Sequence, residues 1–439
     1  MPVPNVIITT SVKPRAAPAH VKNEHGASVP SQRLSTGELA FLAENVPPLG
    51  SASFHLSVAA PHVPAKRVTV LDGVLDNGIV RAKVDSNSGN IVELTSNESA
   101  RNLVDTSRDQ AINQYLFLEG KDTSKVNTSG PVRIAIEEPG PLVAAIRIES
   151  SAPGCVDLVR RVRLQASADW IEISNIVNKK RASLNPHPGQ GGTGGDFAQH
   201  ESKESLQFAF PFAIENGQIH LDVPLAVMRP EDDQLPGSCK NWLPVGRWID
   251  VANAEYGVTC ATLDAPLVEI GSLSATMLGS QTHPEIWQKH IEPTHTFYSW
   301  IMSNHWSTNY RAYQDGPVEF RYALRPHGGY EPVAASRFAT GMSQPLVASA
   351  QGQRSRMGLK LRIDQEDVLV QECKRSADGS AWIVQLFGAS GEDRKAGLTW
   401  ANGRPIKVWR SNLSELPLER IDTQVDVPAW DLITLRIET

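Results

Sequence analysis

Large antiparallel β-sheets packed face to face are the expected architecture of this 439-residue chain. Apolar residues recur at every second position over most of its length, which is the period of a half-buried strand. Turn signals separate those runs, and 32 Gly with 30 Pro lie a little above ordinary usage. Helical periodicity is scarce. The strands are too many for one small sandwich, so the fold class is all-β, with large antiparallel sheets in the middle and smaller β segments on either side.

Taken in order, residues 1–66 read as an N-terminal β segment that ends near Pro61-His62-Val63-Pro64. Asn77-Gly78 and Ser88-Gly89-Asn90 bracket a strand at 80–84, with another at 91–94, so consecutive hairpins are expected. Leu142, Ala144, Ile146 and Ile148 line one strand face, opposite Arg147 and Glu149. Val156, Leu158, Val162 and Leu164 repeat the pattern, interrupted by Arg160. Val318, Phe320, Tyr322 and Leu324 oppose Glu319, Arg321 and Arg325. The best helical candidate is 284–290, with Pro284 near a first-turn position. The long central β body is expected over 67–345. An Ala-, Ser- and Gln-rich stretch at 344–353 leads into a C-terminal β-sandwich module, 346–439, where Leu359, Leu361 and Ile363, then Ile433, Leu435 and Ile437, alternate again.

Composition narrows the function classes. Hydrophobic residues at 41% and charged residues at 21% are ordinary globular usage, which argues against a disordered or fibrous chain. Lys+Arg 42 against Asp+Glu 48 gives a net charge of −6 without a basic stripe, so no nucleic-acid partner is expected. Apolar stretches are short and broken by charge, so no membrane span is expected, and residues 1–19 lack the layout of a secretion signal. The sequons at Asn97, Asn127 and Asn412 are too short to assign a compartment. Cys155, Cys239, Cys260 and Cys373 are far apart and form no C-x-x-C pair; isolated thiols are the reading, with one unassignable disulfide possible.

Few motifs carry chemistry. His220-Leu221-Asp222 places two possible ligands on one strand face, but an ordinary solvated strand explains it better. His187, Asp196 and His200 lie in a Gly-rich excursion at 185–200, where a flexible loop is poorly suited to preorganising ligands. That excursion, with glycines between 189 and 195, lacks the Gly-Lys-Ser/Thr ending of a phosphate cradle and reads as a mobile linker. Neither a nucleophile elbow nor a kinase signature appears, and spacing nominates no carboxylate pair for glycoside cleavage. One segment, 297–311, mixes Phe, Tyr and Trp with Asn, His and Arg. Sugar sites use that mixture, since aromatic faces cover the apolar side of a pyranose while amides and charges bind hydroxyls; a sheet-core aromatic cluster with a polar turn is the plainer explanation.

Several segments resemble, in one order, the C-terminal β half of glycoside hydrolase family 38, the α-mannosidases. They are Glu38-Leu39-Ala40-Phe41-Leu42-Ala43-Glu44-Asn45-Val46-Pro47-Pro48-Leu49-Gly50, Leu75-Asp76-Asn77-Gly78-Ile79-Val80-Arg81-Ala82-Lys83-Val84-Asp85 followed by Ser88-Gly89-Asn90-Ile91, Phe208-Ala209-Phe210-Pro211-Phe212, Trp248-Ile249-Asp250-Val251 and Tyr256-Gly257-Val258-Thr259. The strongest match is Asn304-His305-Trp306-Ser307-Thr308-Asn309-Tyr310 with Gly316-Pro317-Val318-Glu319-Phe320-Arg321-Tyr322, and residues 425–437 resemble the family's last strands. The resemblance implies an all-β fold, a large antiparallel supersandwich of galactose-mutarotase-like type flanked by smaller β-sandwich segments, with the supersandwich over 67–345. It also implies partnership with a catalytic barrel in a parent protein, and a mannose-containing carbohydrate as ligand. The family's zinc belongs to that barrel, whose His-x-Asp-x-Gly-Trp motif has no counterpart here, since His220-Leu221-Asp222-Val223-Pro224 departs from it after the second ligand. No cofactor and no catalytic residue is therefore expected on this chain.

The resemblance leaves Asn304, His305, Trp306, Asn309, Tyr310 and Arg311, with Asp264 in the loop after Tyr256, as candidate carbohydrate-binding residues. The expected function is to brace the barrel and help form the sugar site. Its alternative is a stand-alone carbohydrate-binding protein. The supersandwich is shared with aldose epimerases too, but that chemistry needs an acid and a base across the ring, and none of His290, His295 or His305 can be paired with a carboxylate.

Overall fold

Strand alternation resolves into two sheets that face each other in the middle of the chain. The computed structural model describes residues 6–10, 19–44, 46, 51–97, 99–107, 109–182, 202–275, 284–305, 313–349, 361–400 and 407–438. A nine-stranded antiparallel sheet runs in the order Val132–Pro139, Val143–Ser150, Cys155–Gln165, Ile171–Lys179, Gly316–His327, Gly257–Thr262, Trp248–Ala252, Gln218–Val223 and Ala226–Met228. A six-stranded sheet faces it, ordered Val126–Thr128, Gln114–Glu119, Glu204–Pro211, Thr296–Ser303, Leu267–Ile270 and Leu243–Pro244. The all-β architecture with large antiparallel sheets is thus the one the alternation indicates.

Rings fill the space between the two sheets. Phe210 stacks on Phe297 with centroids 4.9 Å apart, and both Phe208 and Phe210 pack against Tyr322 of the opposite sheet. The Tyr322 hydroxyl is 2.7 Å from Ser299 Oγ, so its polar end is satisfied inside the core. Each of these buried rings contributes about 2–3 kcal/mol by removal from water.

The expected faces hold. Ala144, Ile146 and Ile148 are buried beside half-exposed Arg147 and Glu149, and Phe320, Tyr322 and Leu324 are buried between exposed Glu319 and Arg321. The hairpins at Asn77-Gly78 and Ser88-Gly89-Asn90 join Val74–Asp76, Val80–Val84 and Ile91–Ser96, with Gly78 and Gly89 at φ of +76° and +68°.

Arg160 does not interrupt its strand. A register shift between Cys155 and Asp157 turns Val156 out to 58% exposure, and Arg160 joins Leu158, Val162 and Leu164 on the buried face. Its guanidinium donates to Asn90 Oδ1 at 2.7 Å, to the Ser88 carbonyl at 2.6 Å and to the Asn113 carbonyl at 3.1 Å. Burial lowers its pKa to about 10, and carbonyl oxygens take the place of a carboxylate.

The N-terminal strands form two three-stranded sheets, Val6–Thr10 with Leu39–Ala43 and Ser31–Arg33, and Ser28–Val29 with His20–Asn23 and Phe54–Ser57. Val21, Leu39 and Phe41 belong to the same apolar core as the large sheets. Gln32 fastens them there, because its Oε1 accepts from both Leu142 and Val143 N–H at 2.9 Å while its Nε2 donates to the Val143 carbonyl. The last strands, beginning at Leu361–Ile363, build a three-stranded and a five-stranded sheet around a core of their own that includes Val384, Leu386, Leu435 and Ile437.

Helix placement differs from expectation. Residues 284–290 hold only a 3-10 turn, Pro284–Ile286, and the α-helix of the described chain is Pro332–Ser343. Glu331 caps it by accepting from Val333 and Ala334 N–H at 3.0 and 2.6 Å, and Pro332 occupies the first turn, where no N–H is needed. The helix is a wedge. Ala335 and Ala339 pack on Trp248, Ala261 and Ala323 of the nine-stranded sheet, while Val333 packs on Phe387 and Ala389 of the C-terminal module. Apolar residues on two faces blur the single stripe by which an amphipathic helix is read.

Candidate functional site

Residues of both large sheets line a cleft of about 350 Å³. Three strand ends converge on it. Ile171–Lys179 brings Lys179, Glu204–Pro211 starts with Glu204, and Thr296–Ser303 runs out into Asn304. The chain on either side of 183–201 and of 306–312 borders the same cleft, through Ala182, Glu204, Asn304 and Tyr313.

Its polar wall is an ion pair. Lys179 Nζ, from the nine-stranded sheet, bonds Glu204 Oε1, from the six-stranded sheet, and both side chains are under one-tenth exposed. Lys179 also donates to the Lys180 carbonyl. Asn304 sets the position of Glu204: its Oδ1 accepts from Glu204 N–H at 2.6 Å, its own N–H donates to the Glu204 carbonyl at 3.0 Å, and its Nδ2 donates to the Ser202 carbonyl at 2.8 Å.

The floor is apolar, made by Leu206, Leu267, Ile301, Met302 and the Trp300 ring. Trp300 is 6% exposed and stacks on Trp242 with centroids 5.2 Å apart. At the rim Arg181 lies 3.7 Å over the Tyr313 ring. A covered polar layer continues from Trp300 along the outer face of the six-stranded sheet. Gln207 sits directly across from Trp300 in register, and donates from Nε2 to Ser205 Oγ and to Glu269 Oε2. Glu269 is fully buried, accepts otherwise from Ser274 N–H at 2.7 Å, and burial pushes its pKa up to about 8. The buried Trp300 N–H and Gln207 Oε1 find no partner among the described residues.

The structure brings Asn304 to this cleft and buries His305 just behind it. His305 Nε2 faces the Gly120 carbonyl at 2.9 Å and must be the donor there; its Nδ1 lies 3.2 Å from Ser303 Oγ. Burial lowers the His305 pKa, so the ring is neutral with the proton on Nε2. Asp264 does not line the cleft. It accepts from Arg321 N–H, Nε and Nη2 at 2.9, 2.9 and 3.0 Å, tying the turn after Gly257–Thr262 to the neighbouring strand. Trp306, Asn309, Tyr310 and Arg311 lie outside the described residues, as do His187, Asp196, His200 and the Gly-rich run.

No group of three His, Cys, Asp or Glu side chains placed to hold a metal occurs among the described residues. His220 stacks flat on Tyr330 at 3.8 Å, and Asp222 accepts from Arg247 N–H at 2.7 Å. A zinc ion therefore has no set of ligands among the described residues. Cys155, Cys239, Cys260 and Cys373 are free thiols.

Residues 75–279 match the model of the glycosyl hydrolases family 38 C-terminal domain. They are a family 38 C-terminal domain. In fold alone, nearly the whole chain is similar to two solved structures. An α-mannosidase of Enterococcus faecalis V583 superposes with a TM-score of 0.68 at 11% identity, over 99% of this chain and 55% of that one. A second family 38 protein of Enterococcus faecalis gives 0.68 at 12% identity, over 99% and 56%. The chain thus spans a little over half the length of these two structures. No curated protein sequence matches it.

Within the family 38 domain lie Lys179, Glu204, Gln207 and Glu269, while Trp300 and Asn304 follow it in sequence. Sequence reasoning centred on the aromatic segment and missed Lys179, Glu204 and Trp242. A Lys-Lys pair closing a long alternating strand at 179–180 was the available signal, since a lysine at an inward position needs a partner.

Proposed function

We propose that this chain is the β portion of an α-mannosidase-like glycoside hydrolase, which braces a catalytic barrel and contributes the cleft beside Trp300 to the carbohydrate site. The carrying observation is the superposition of 99% of this chain on 55% of an α-mannosidase. The cleft adds support. A single carboxylate, Glu204, borders it among the described residues, and Lys179 occupies that carboxylate. Retaining or inverting cleavage needs two carboxyl groups across the bond, so hydrolysis calls for residues from another domain. In the parent enzyme that domain would also supply the zinc.

The test is turnover of an aryl α-mannoside by the isolated chain and by the native gene product. The isolated chain is expected to be inactive, and the native product to be active at a mass well above the chain's own. Turnover by the isolated chain overturns the proposal.

The cleft itself supports a second reading, that of a stand-alone carbohydrate-binding protein. An apolar floor with an indole, bordered by a lysine, an asparagine and a tyrosine, suits one face of a hexose and its hydroxyls. Saturable binding of methyl α-mannoside with no hydrolysis, by a native product of this chain's own mass, would favour it. No response at millimolar sugar would count against it.

A further inference from the structure

The Gly316–His327 strand ends in a side chain that folds back across its neighbour. Gly257 is the register partner of His327, and a Cβ on Gly257 would come within 2.8 Å of His327 Cε1. The bare glycine leaves the imidazole room to reach Asp250 on the next strand. His327 Nε2 lies 2.9 Å from Asp250 Oδ2, and Nδ1 lies 2.8 Å from the Gly328 carbonyl. Both partners are acceptors, so both ring nitrogens carry protons and the pair is an imidazolium with a carboxylate. Asp250 is 1% exposed, and its other contact is the Thr259 hydroxyl at 2.6 Å.

Beyond this pair the chain turns through Gly328 and Gly329 into the Pro332–Ser343 helix. Gly329 is pressed against the Ala254 carbonyl, which a Cβ would meet at 2.4 Å, and Tyr330 N–H donates to the Asn253 carbonyl. The helix carries the C-terminal module through Val333 against Phe387 and Ala389, and through Arg337 near Glu366 at 3.8 Å. We propose that the Asp250–His327 pair is a proton-operated latch, fastening this turn, the helix and through it the C-terminal module to the nine-stranded sheet, and releasing them when the imidazolium loses its proton.

The surroundings set the direction. Burial opposes charge on His327, but the hydrogen bond and charge of Asp250 outweigh it and hold the ring above its ordinary 6.5; Arg325, two residues back, opposes the charge weakly. From the next strand His220 faces Asp250 in register and is kept neutral, chiefly by burial; Arg229 acts in the same sense, against Asp250 and Asp233. Asp222, further along that strand, is shifted up by burial. Tyr330 lies flat on His220, and the Glu331 carboxylate caps the helix. In an opened state His327 returns toward 6.5 and binds fewer protons than in the closed one. Opening therefore becomes easier as pH rises from 6.5 through the folded value, by up to about tenfold per pH unit, and levels off above it.

The experiment uses the full chain. Nitrogen NMR of His327 is expected to show the ring titrating above 6.5, with two N–H groups below that titration, and hydrogen exchange of the 333–343 amides, corrected for intrinsic rate, is expected to lose protection as that ring titrates. H327Q, whose amide keeps a donor toward Asp250, is expected to flatten the pH profile. A His327 ring that titrates at or below 6.5, or a profile that H327Q leaves unchanged, overturns the latch. Should H327Q not fold, the wild-type chain decides alone: coincidence of ring titration with loss of helix protection supports the proposal, and separation of the two sinks it.

Discussion

Lys179 and Glu204, the last residue of one strand and the first of another, form an ion pair that joins the two large sheets at the mouth of the cleft. Twenty-five residues separate them in sequence. Both charges are out of water, so each depends on the other for compensation. Removing either alone, as Lys179→Ala or Glu204→Ala, is expected to cost about 3–5 kcal/mol, whereas Lys179→Met with Glu204→Leu should cost much less because no bare charge is left. Denaturant unfolding of the three variants measures this, and equal losses would refute the coupling.

Arg160 and Gly89 form a second buried unit. Replacing Gly89 with Ala puts a Cβ 2.5 Å from Ile148 Cγ2 and 2.7 Å from Arg160 Nη2 at a φ of +68°. A loss of at least about 2 kcal/mol is expected from the clash and the left-handed backbone together. Arg160→Met should lose about 2–4 kcal/mol, since the Ser88 and Asn113 carbonyls lose their donor. Thermal unfolding reads both, and a neutral Gly89→Ala would show that the turn can shift.

Glu269 gives a pH prediction. Its folded pKa of about 8 stands above the ordinary 4.5, so the folded chain keeps a proton that the unfolded chain releases. Stability contributed by this site is therefore greatest below pH 4.5, declines between 4.5 and about 8, and is level above. Glu269→Gln removes that slope. Its melting temperature should approach that of wild type at pH 5 and exceed it at pH 8; a constant difference across pH would mean that Glu269 is ionised in the folded chain.

Trp300 tests the cleft as a sugar site. Its ring forms the floor and rests on Trp242. Calorimetric titration with methyl α-mannoside should weaken at least tenfold in Trp300→Ala, about the 1.4 kcal/mol of one good ring contact. Asp264→Asn, which lies off the cleft and supports Arg321, should leave that affinity unchanged while lowering stability modestly. The reverse pattern would move the site away from Trp300.

Alternation indicated the sheets and the buried faces of 143–150 and 316–327, and turn signals indicated the hairpins at Asn77-Gly78 and Ser88-Gly89-Asn90. The motifs it spans were enough to suggest the family 38 region. The Pro332–Ser343 helix was not legible because it is apolar toward two neighbours at once, and the role of Arg160 was hidden because alternation places it on the buried face without naming the Asn90, Ser88 and Asn113 oxygens that meet its charge there. At the candidate site the sequence named Asn304 and His305. It had no means of showing that Asn304 holds Glu204, or that Asp264 is engaged by Arg321 on another strand.

Side-chain period is a local property: each strand's two faces follow from residues two apart, whatever its neighbours are. The meeting of Lys179 with Glu204, of Gly257 with His327 and of Gln207 with Trp300 is decided by which strands pair and in what register. Those choices depend on closing long loops and on packing two sheets to full density, and both are properties of the assembled fold.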